Sequence, residues 1–299
     1  MNEANLIEEI RKGAYHLDGL ATYACVEVEE GFFLRIREDV LRLITAYPIP
    51  AIDPKSTTDK SAYVQPKGEY LYWSLLTKGG DFTDKASAYS KTFLGKAFHH
   101  DDEFPALGEF IRAFPEAMNF TLRGLSKASS VSPHEERNFH RLDDLTYIRV
   151  RLHLPITTTP ESRMMLGGRI YHYEARKIYY FNNGCVHAAS NPGQGSRLHL
   201  IWDLFLTREL YGDVFDQDSK QTRAPFLRKI GNYDDTGYID VYGRGAYLFN
   251  SRLGKLPQWT VPWFWNNLWR CAEFHAGKDR NAMVHDRETF HKKLSTNGQ

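Results

Sequence analysis

The sequence predicts a mainly β protein with α-helices at both ends, its short strands forming an antiparallel sandwich or barrel. Three observations predict it. The stretches 148-IRVRLHLPI-156 and 196-SRLHLIWDLF-205 alternate polar and apolar residues with the period of two that marks a strand buried on one face. Turn formers, above all 191-NPGQG-195, punctuate the strand-like runs. Helical spacing is confined to the region before about residue 125 and the region after residue 206.

Taken in order, the first fifty residues read as helical. In 4-ANLIEEIRKGAYHLDGL-20 the apolar residues recur at helical spacing, and 37-REDVLRLITAYP-48 ends at a proline. The polar, proline-containing 51-AIDPKSTTDKSAYVQPKGE-69 reads as loop and 70-YLYWSLL-76 as a strand. The stretch 104-FPALGEFIRAFPEAMNFTLRGL-125 has helical spacing, with Pro115 at a helix boundary. Strands follow at 148–156, twice within 167-GGRIYHYEARKIYYF-181, and at 196–205. The expected organisation is one domain over 1–210, with N-terminal helices in 1–50 and a β core over about 60–210. A largely helical extension, 211–299, packs on that core.

Bulk properties exclude several classes. The chain has 299 residues, 42% hydrophobic, with 38 basic and 37 acidic side chains and a formal charge of +1. Such a balance gives no electrostatic reason to expect nucleic acid or a membrane surface as partner. Cys25, Cys185 and Cys271 are far apart and odd in number, so neither a disulfide framework nor a zinc spacing follows. With no apolar signal core in MNEANLIEEIRKG, the cytoplasm is the expected compartment.

The polar faces of the two best strands carry Arg149, Arg151 and His153, then Arg197, His199 and Asp203. If those faces turn inward they line a cavity suited to a metal and an anion. A tight hairpin centred on Pro192 and Gly193 would set His187 opposite Arg197 on one face. Neutral imidazole suits a metal, and the arginine fork suits a carboxylate. His140, just before the alternating strand, is the best second histidine. An exposed hairpin with a surface arginine is the plain alternative, and a salt-bridged or solvated role is preferred for Arg149. The run 99-HHDDE-103 reads as a solvated helix-capping loop rather than a metal site. The Trp-rich 259-WTVPWFWNNLW-269 reads first as a helix packing its aromatics on the core, with a substrate lid or a homodimer face as alternatives.

Residues His140, Arg151, His153, Leu154, Pro155, Phe181, Asn182, His187, Asn191, Gly195, Arg197, His199, Leu200 and Asp203 follow one another in an order and spacing that resembles the aspartyl/asparaginyl β-hydroxylase-like family, which includes bacterial proline cis-hydroxylases. The resemblance covers about residues 138–205. It implies a double-stranded β-helix and an Fe(II)/2-oxoglutarate-dependent dioxygenase that uses O2. It implies His140 and His187 as iron ligands and Arg197 as the clamp on 2-oxoglutarate, with His153 and Arg151 touching cosubstrate or substrate. The carboxylate expected two residues after the first histidine is replaced by Leu142. The third ligand is then Asp143, a water, or a halide; alternatively His134 and Glu136 supply the His-x-Glu spacing, at a distance from the RLHLP strand that fits less well than that of His140. The expected reaction is hydroxylation of an unactivated carbon in a free amino acid or small polar metabolite. The alternatives are a non-oxidative cupin-like metal protein, either an isomerase or a sensor, and a halogenase, which the bulk of Leu142 disfavours.

Overall fold

The computed structural model describes residues 22–50, 66–234, 238–239 and 286–296, apart from positions 68, 90–94, 135, 137–138, 143–144, 167–168, 184–186 and 217. In chain order its elements are β1 (Thr22–Val28), α1 (Glu30–Ala46), β2 (Pro66–Lys67), β3 (Tyr70–Ser74), α2 (Lys85–Tyr89) and α3 (Pro105–Arg112). Then come β4 (Ala117–Leu125), β5 (Ser129–His134), β6 (Phe139–Leu142), β7 (Leu145–Thr157), β8 (Arg163–Leu166), β9 (Arg169–Tyr171) and β10 (Lys177–Phe181). The chain continues through β11 (His187–Asn191), β12 (Arg197–Phe205), α4 (Arg208–Leu210), β13 (Leu227–Asp234), β14 (Tyr238–Ile239) and α5 (Arg287–Thr296).

The strands form two antiparallel sheets. One runs β13-β1-β10-β7-β12-β4-β3, with β6 hairpinned onto β7; the other runs β14-β9-β8-β11-β5-β2. From β4 to β12 the chain alternates between the sheets, β6 and the β8–β9 hairpin aside, which is the winding of a double-stranded β-helix. The alternation in β12 explains its place at the centre. Leu198, Leu200, Trp202 and Leu204 join the large core under the helices, while Arg197, His199 and Asp203 are buried on the opposite face, between the sheets. Trp202 stacks on Phe120 at 4.8 Å and meets Phe110 of α3 edge-on at 5.6 Å. Helix α1 is fixed to α3 by Asp39, whose buried carboxylate accepts the Ala106 and Leu107 amides at 2.8 and 3.0 Å. A smaller core between the sheets contains Leu125, Val131, Met164, Leu166, Tyr173, Tyr179 and Phe181.

Three expectations change here. Residues 22–28 are a strand rather than part of a helical N-terminus, paired to β10 and β13. The helix at 104–125 stops at Arg112, and 117–125 is β4, paired to both β12 and β3. The sheet does not end near residue 210, because β13 hydrogen-bonds to β1. The Trp-rich 259–269 segment lies outside the described residues. None of the described helices is long and apolar enough to cross a membrane.

Candidate active site

The NPGQG turn does not close a hairpin. Strand β11 pairs with β5 and β8, whereas β12 pairs with β4 and β7, so the turn carries the chain from one sheet to the other. Asn191 fixes this crossover: fully buried, its amide donates to the Leu125 and Gly195 carbonyls at 2.9 and 2.7 Å and its oxygen accepts from Ser162 and Thr159. His187 and Arg197 therefore face the same inter-sheet space from opposite walls.

Arg197 is 4% exposed, yet among the described residues no carboxylate pairs with it. Its guanidinium donates to Met164 Sδ at 2.7 Å and to His199 Nδ1 at 3.0 Å. Burial pulls its pKa down to about 10, helped by the neighbouring Arg123 and opposed by the Tyr173 and Tyr70 hydroxyls. Among the described residues its acceptors are neutral, a setting in which an anion would be favoured.

Two neutral imidazoles flank it. Burial, then Arg151 and Arg197, hold the His153 pKa well below its ordinary value; burial and Arg197 do the same to His199. His199 Nδ1 accepts from Arg197, so Nε2 carries the proton, and this buried Nε2 has no hydrogen-bond partner among the described residues. Neither ring nitrogen of His153 has one. The ring of His153 stacks on Phe181 at 4.5 Å and meets Tyr173 edge-on at 6.0 Å, and Tyr173 stacks on Tyr179 at 4.0 Å. Buried polar atoms left this way cost about 1–3 kcal/mol each, and their clustering beside an unmatched guanidinium marks a polar ligand's position.

Further along β7 and β12 lies a second cluster. Arg151 grips Asp203 through Nε (2.6 Å) and Nη2 (2.9 Å), and Glu136 through Nη1 (2.6 Å) and Nη2 (2.9 Å). Arg149 adds a bond to Glu136 Oε2 at 2.9 Å, and Asn119 donates to Asp203 at 3.0 Å. Burial opposes ionisation of both carboxyls, but the two arginines win: Glu136 lies well below the usual carboxylate range and Asp203 is pulled down to about 2. Glu136 Oε1 reaches 4.0 Å from Nε2 of His187, which is buried with its ring edge-on to Phe181 at 4.9 Å.

Of the residues expected from the sequence, His153, His187 and Arg197 share the inter-sheet space. Arg151 shares that wall and is engaged by two carboxylates; Asp203, one of the motif residues, is its main partner. Arg149 is salt-bridged, as expected. His140 sits opposite Tyr147 on the β6–β7 hairpin, whose β6 strand pairs, among the described residues, with β7 alone, and Leu142 opposes Leu145 at its tip. Asp143 lies outside the described residues. The residue in register with His187 is His134, at the end of β5 and two residues before Glu136. The segment of the His-x-Glu alternative thus runs beside His187. Among the described residues no three His, Cys, Asp or Glu side chains are already gathered as a metal-binding group. The run 99–103 is a helix-flanking loop in which His100 bonds Glu103 and the Gly80 carbonyl.

A family model for aspartyl/asparaginyl β-hydroxylase matches residues 34–206, more than half of the chain. The chain belongs to the aspartyl/asparaginyl β-hydroxylase family. As a member it is an iron(II)/2-oxoglutarate-dependent oxygenase, with O2 as co-substrate. No curated protein sequence matches it. Solved structures of similar fold include a Pseudomonas putida prolyl-4-hydroxylase, 15% identical over 67% of this chain and 98% of that one, with a TM-score of 0.37. HygX from Streptomyces hygroscopicus, bound to nickel, 2-oxoglutarate and hygromycin B, is 10% identical over 68% of this chain and 86% of its own, at 0.35. The α-ketoglutarate-dependent epimerase SnoN of nogalamycin biosynthesis is 11% identical over 68% and 83%, at 0.38.

Proposed function

We propose that this oxygenase hydroxylates an unactivated carbon of a free amino acid or small polar metabolite, converting 2-oxoglutarate to succinate and CO2. The observation that carries the reading is Arg197: a buried guanidinium with no carboxylate partner among the described residues, set beside ring nitrogens of His153 and His199 that likewise have none there. That arrangement suits the distal carboxylate and the oxygens of a small dicarboxylate, gripped in two parallel bonds.

His134, Glu136 and His187 would hold the iron, replacing His140 and Asp143 in that role. Two imidazoles and one carboxylate are the donor set that non-haem iron(II) oxygenases use, and the His-x-Glu spacing with a distant histidine supplies it. The donor chemistry fits: His187 is buried, and the Glu136 carboxyl is ionised and points one oxygen toward it. When bound, the metal with its cosubstrate and O2 supplies the oxidising power. The chain's own contribution is placement. Arg197 orients the cosubstrate, His153 and His199 offer ring nitrogens to it, and the rings of Tyr173, Tyr179 and Phe181 keep water from one wall of the site.

The test is succinate formation, followed by mass spectrometry, with Fe(II), 2-oxoglutarate and a panel of free amino acids. Succinate matched by a substrate product sixteen mass units heavier supports the reading. Metal binding without succinate release from any arm, and with activity untouched by Arg197→Met, would instead mark a non-oxidative metal protein.

A further inference from the structure

Glu136 is held asymmetrically. Its Oε2 accepts from Arg149 at 2.9 Å, Arg151 at 2.9 Å and the Asn183 amide at 3.3 Å. Its Oε1 takes the Arg151 Nη1 bond and is the oxygen 4.0 Å from His187 Nε2. Asn183 also holds the Glu136 main chain, since its carbonyl accepts the Glu136 amide at 2.8 Å while its own amide closes a turn onto Phe181 at 3.0 Å. Asn183 is fully buried at the end of β10, and its Oδ1 has no hydrogen-bond partner among the described residues. A buried amide with half its hydrogen-bonding capacity unused is costly to keep for stability alone.

We propose that Asn183, together with Arg149, is a positioning residue for the metal-binding carboxylate: it pins Oε2 and the Glu136 backbone so that Oε1, shared with Arg151, is the oxygen turned toward His187 and the metal. The proposal rests on the assignment of Glu136 as an iron ligand. Arg149 donates to the same oxygen from β7, the strand paired to β10. Outer partners of this kind set the angle at which a carboxylate meets a metal, and losing one typically weakens metal binding about 10–100-fold.

The experiment measures Co(II) binding anaerobically, by calorimetry and by the visible ligand-field spectrum, in full-length protein. Asn183→Ala should weaken Co(II) binding about tenfold or more and alter the spectrum, while the melting temperature of the metal-free protein stays within a few degrees of wild type. In a Glu136→Gln background the same substitution should have no further effect, because Asn183 acts through that carboxylate. Arg149→Met gives a second, independent reading and should also weaken binding. An unchanged affinity in Asn183→Ala, tighter binding in Arg149→Met, or an undiminished Asn183 effect in the Glu136→Gln background would each overturn the proposal. Failure of the iron-site assignment itself reads differently: wild type and His187→Ala would then bind Co(II) equally, and the proposal would fall with it.

Discussion

Replacing Arg197 by methionine separates binding from stability in a way few substitutions do. The guanidinium is 4% exposed and its pKa falls from 12.5 to about 10, equivalent to about 3 kcal/mol against keeping the charge in the empty fold. Methionine retains the apolar stem against Met164 and removes that charge. The metal-free, ligand-free variant should therefore melt at or above the wild-type temperature, with each kcal/mol worth about 2–4 °C in a protein of this size. The cosubstrate loses two charge-assisted bonds of about 1.5–3 kcal/mol each, so its affinity should fall by about 10²–10⁴. The assay is calorimetric titration of 2-oxoglutarate into anaerobic Fe(II)-loaded protein, beside melts with and without ligand. Wild type should gain thermal stability from 2-oxoglutarate and the variant should not. A variant that unfolds many degrees lower while keeping cosubstrate affinity would show that Arg197 is a structural cation, and the anion-receptor argument would fail.

Other perturbations have defined signs. Asp203→Asn removes the main charge partner of Arg151 and should cost about 3–5 kcal/mol, read from denaturant melts. Because the folded pKa of Asp203, about 2, lies below its ordinary 3.8, its stabilisation is full above pH 4 and is lost as pH falls from about 4 toward 2; that decline should be smaller in Asp203→Asn. His153 and His199 are neutral in the fold and held well below 6.5, so stability should fall as pH drops below about 6.5, by up to about 1.4 kcal/mol per pH unit for each. His153→Phe should reduce that slope and leave the metal-free fold at least as stable, while weakening 2-oxoglutarate binding.

The core of the fold and half of the site were readable because alternation in β7 and β12 is strict. A polar face opposite a wall of Leu152, Leu154, Leu200 and Trp202 must be either wet or matched by other polar groups, and in the fold it is buried between the sheets. Other elements hid for physical reasons. Strand β1 is buried on both faces along nearly its whole length, so TYACVEV shows no alternation. In β4, Met118, Leu122 and Leu125 fall at i, i+4 and i+7 and mimic a helix continuing past Pro115. The proposed iron-site segment was hidden by a hairpin. The first residues of β7 pair back on β6 between His134 and the RLHLP strand, and His140 lies on that hairpin. The register of His134 with His187 across β5 and β11 has no counterpart in the linear sequence and is what favours the His-x-Glu set. The pairing of Arg151 with both Asp203 and Glu136 had no signal beyond the residue types.

The most direct test of the account compares four proteins in one anaerobic experiment. Wild type, His134→Ala, His187→Ala and His140→Ala are each titrated with Fe(II) and then 2-oxoglutarate, and the visible charge-transfer band of the chelated cosubstrate is followed. The account predicts the band in wild type and His140→Ala and its loss in His134→Ala and His187→Ala. A band that survives His134→Ala but vanishes in His140→Ala would contradict it and return the first iron ligand to the β6–β7 hairpin.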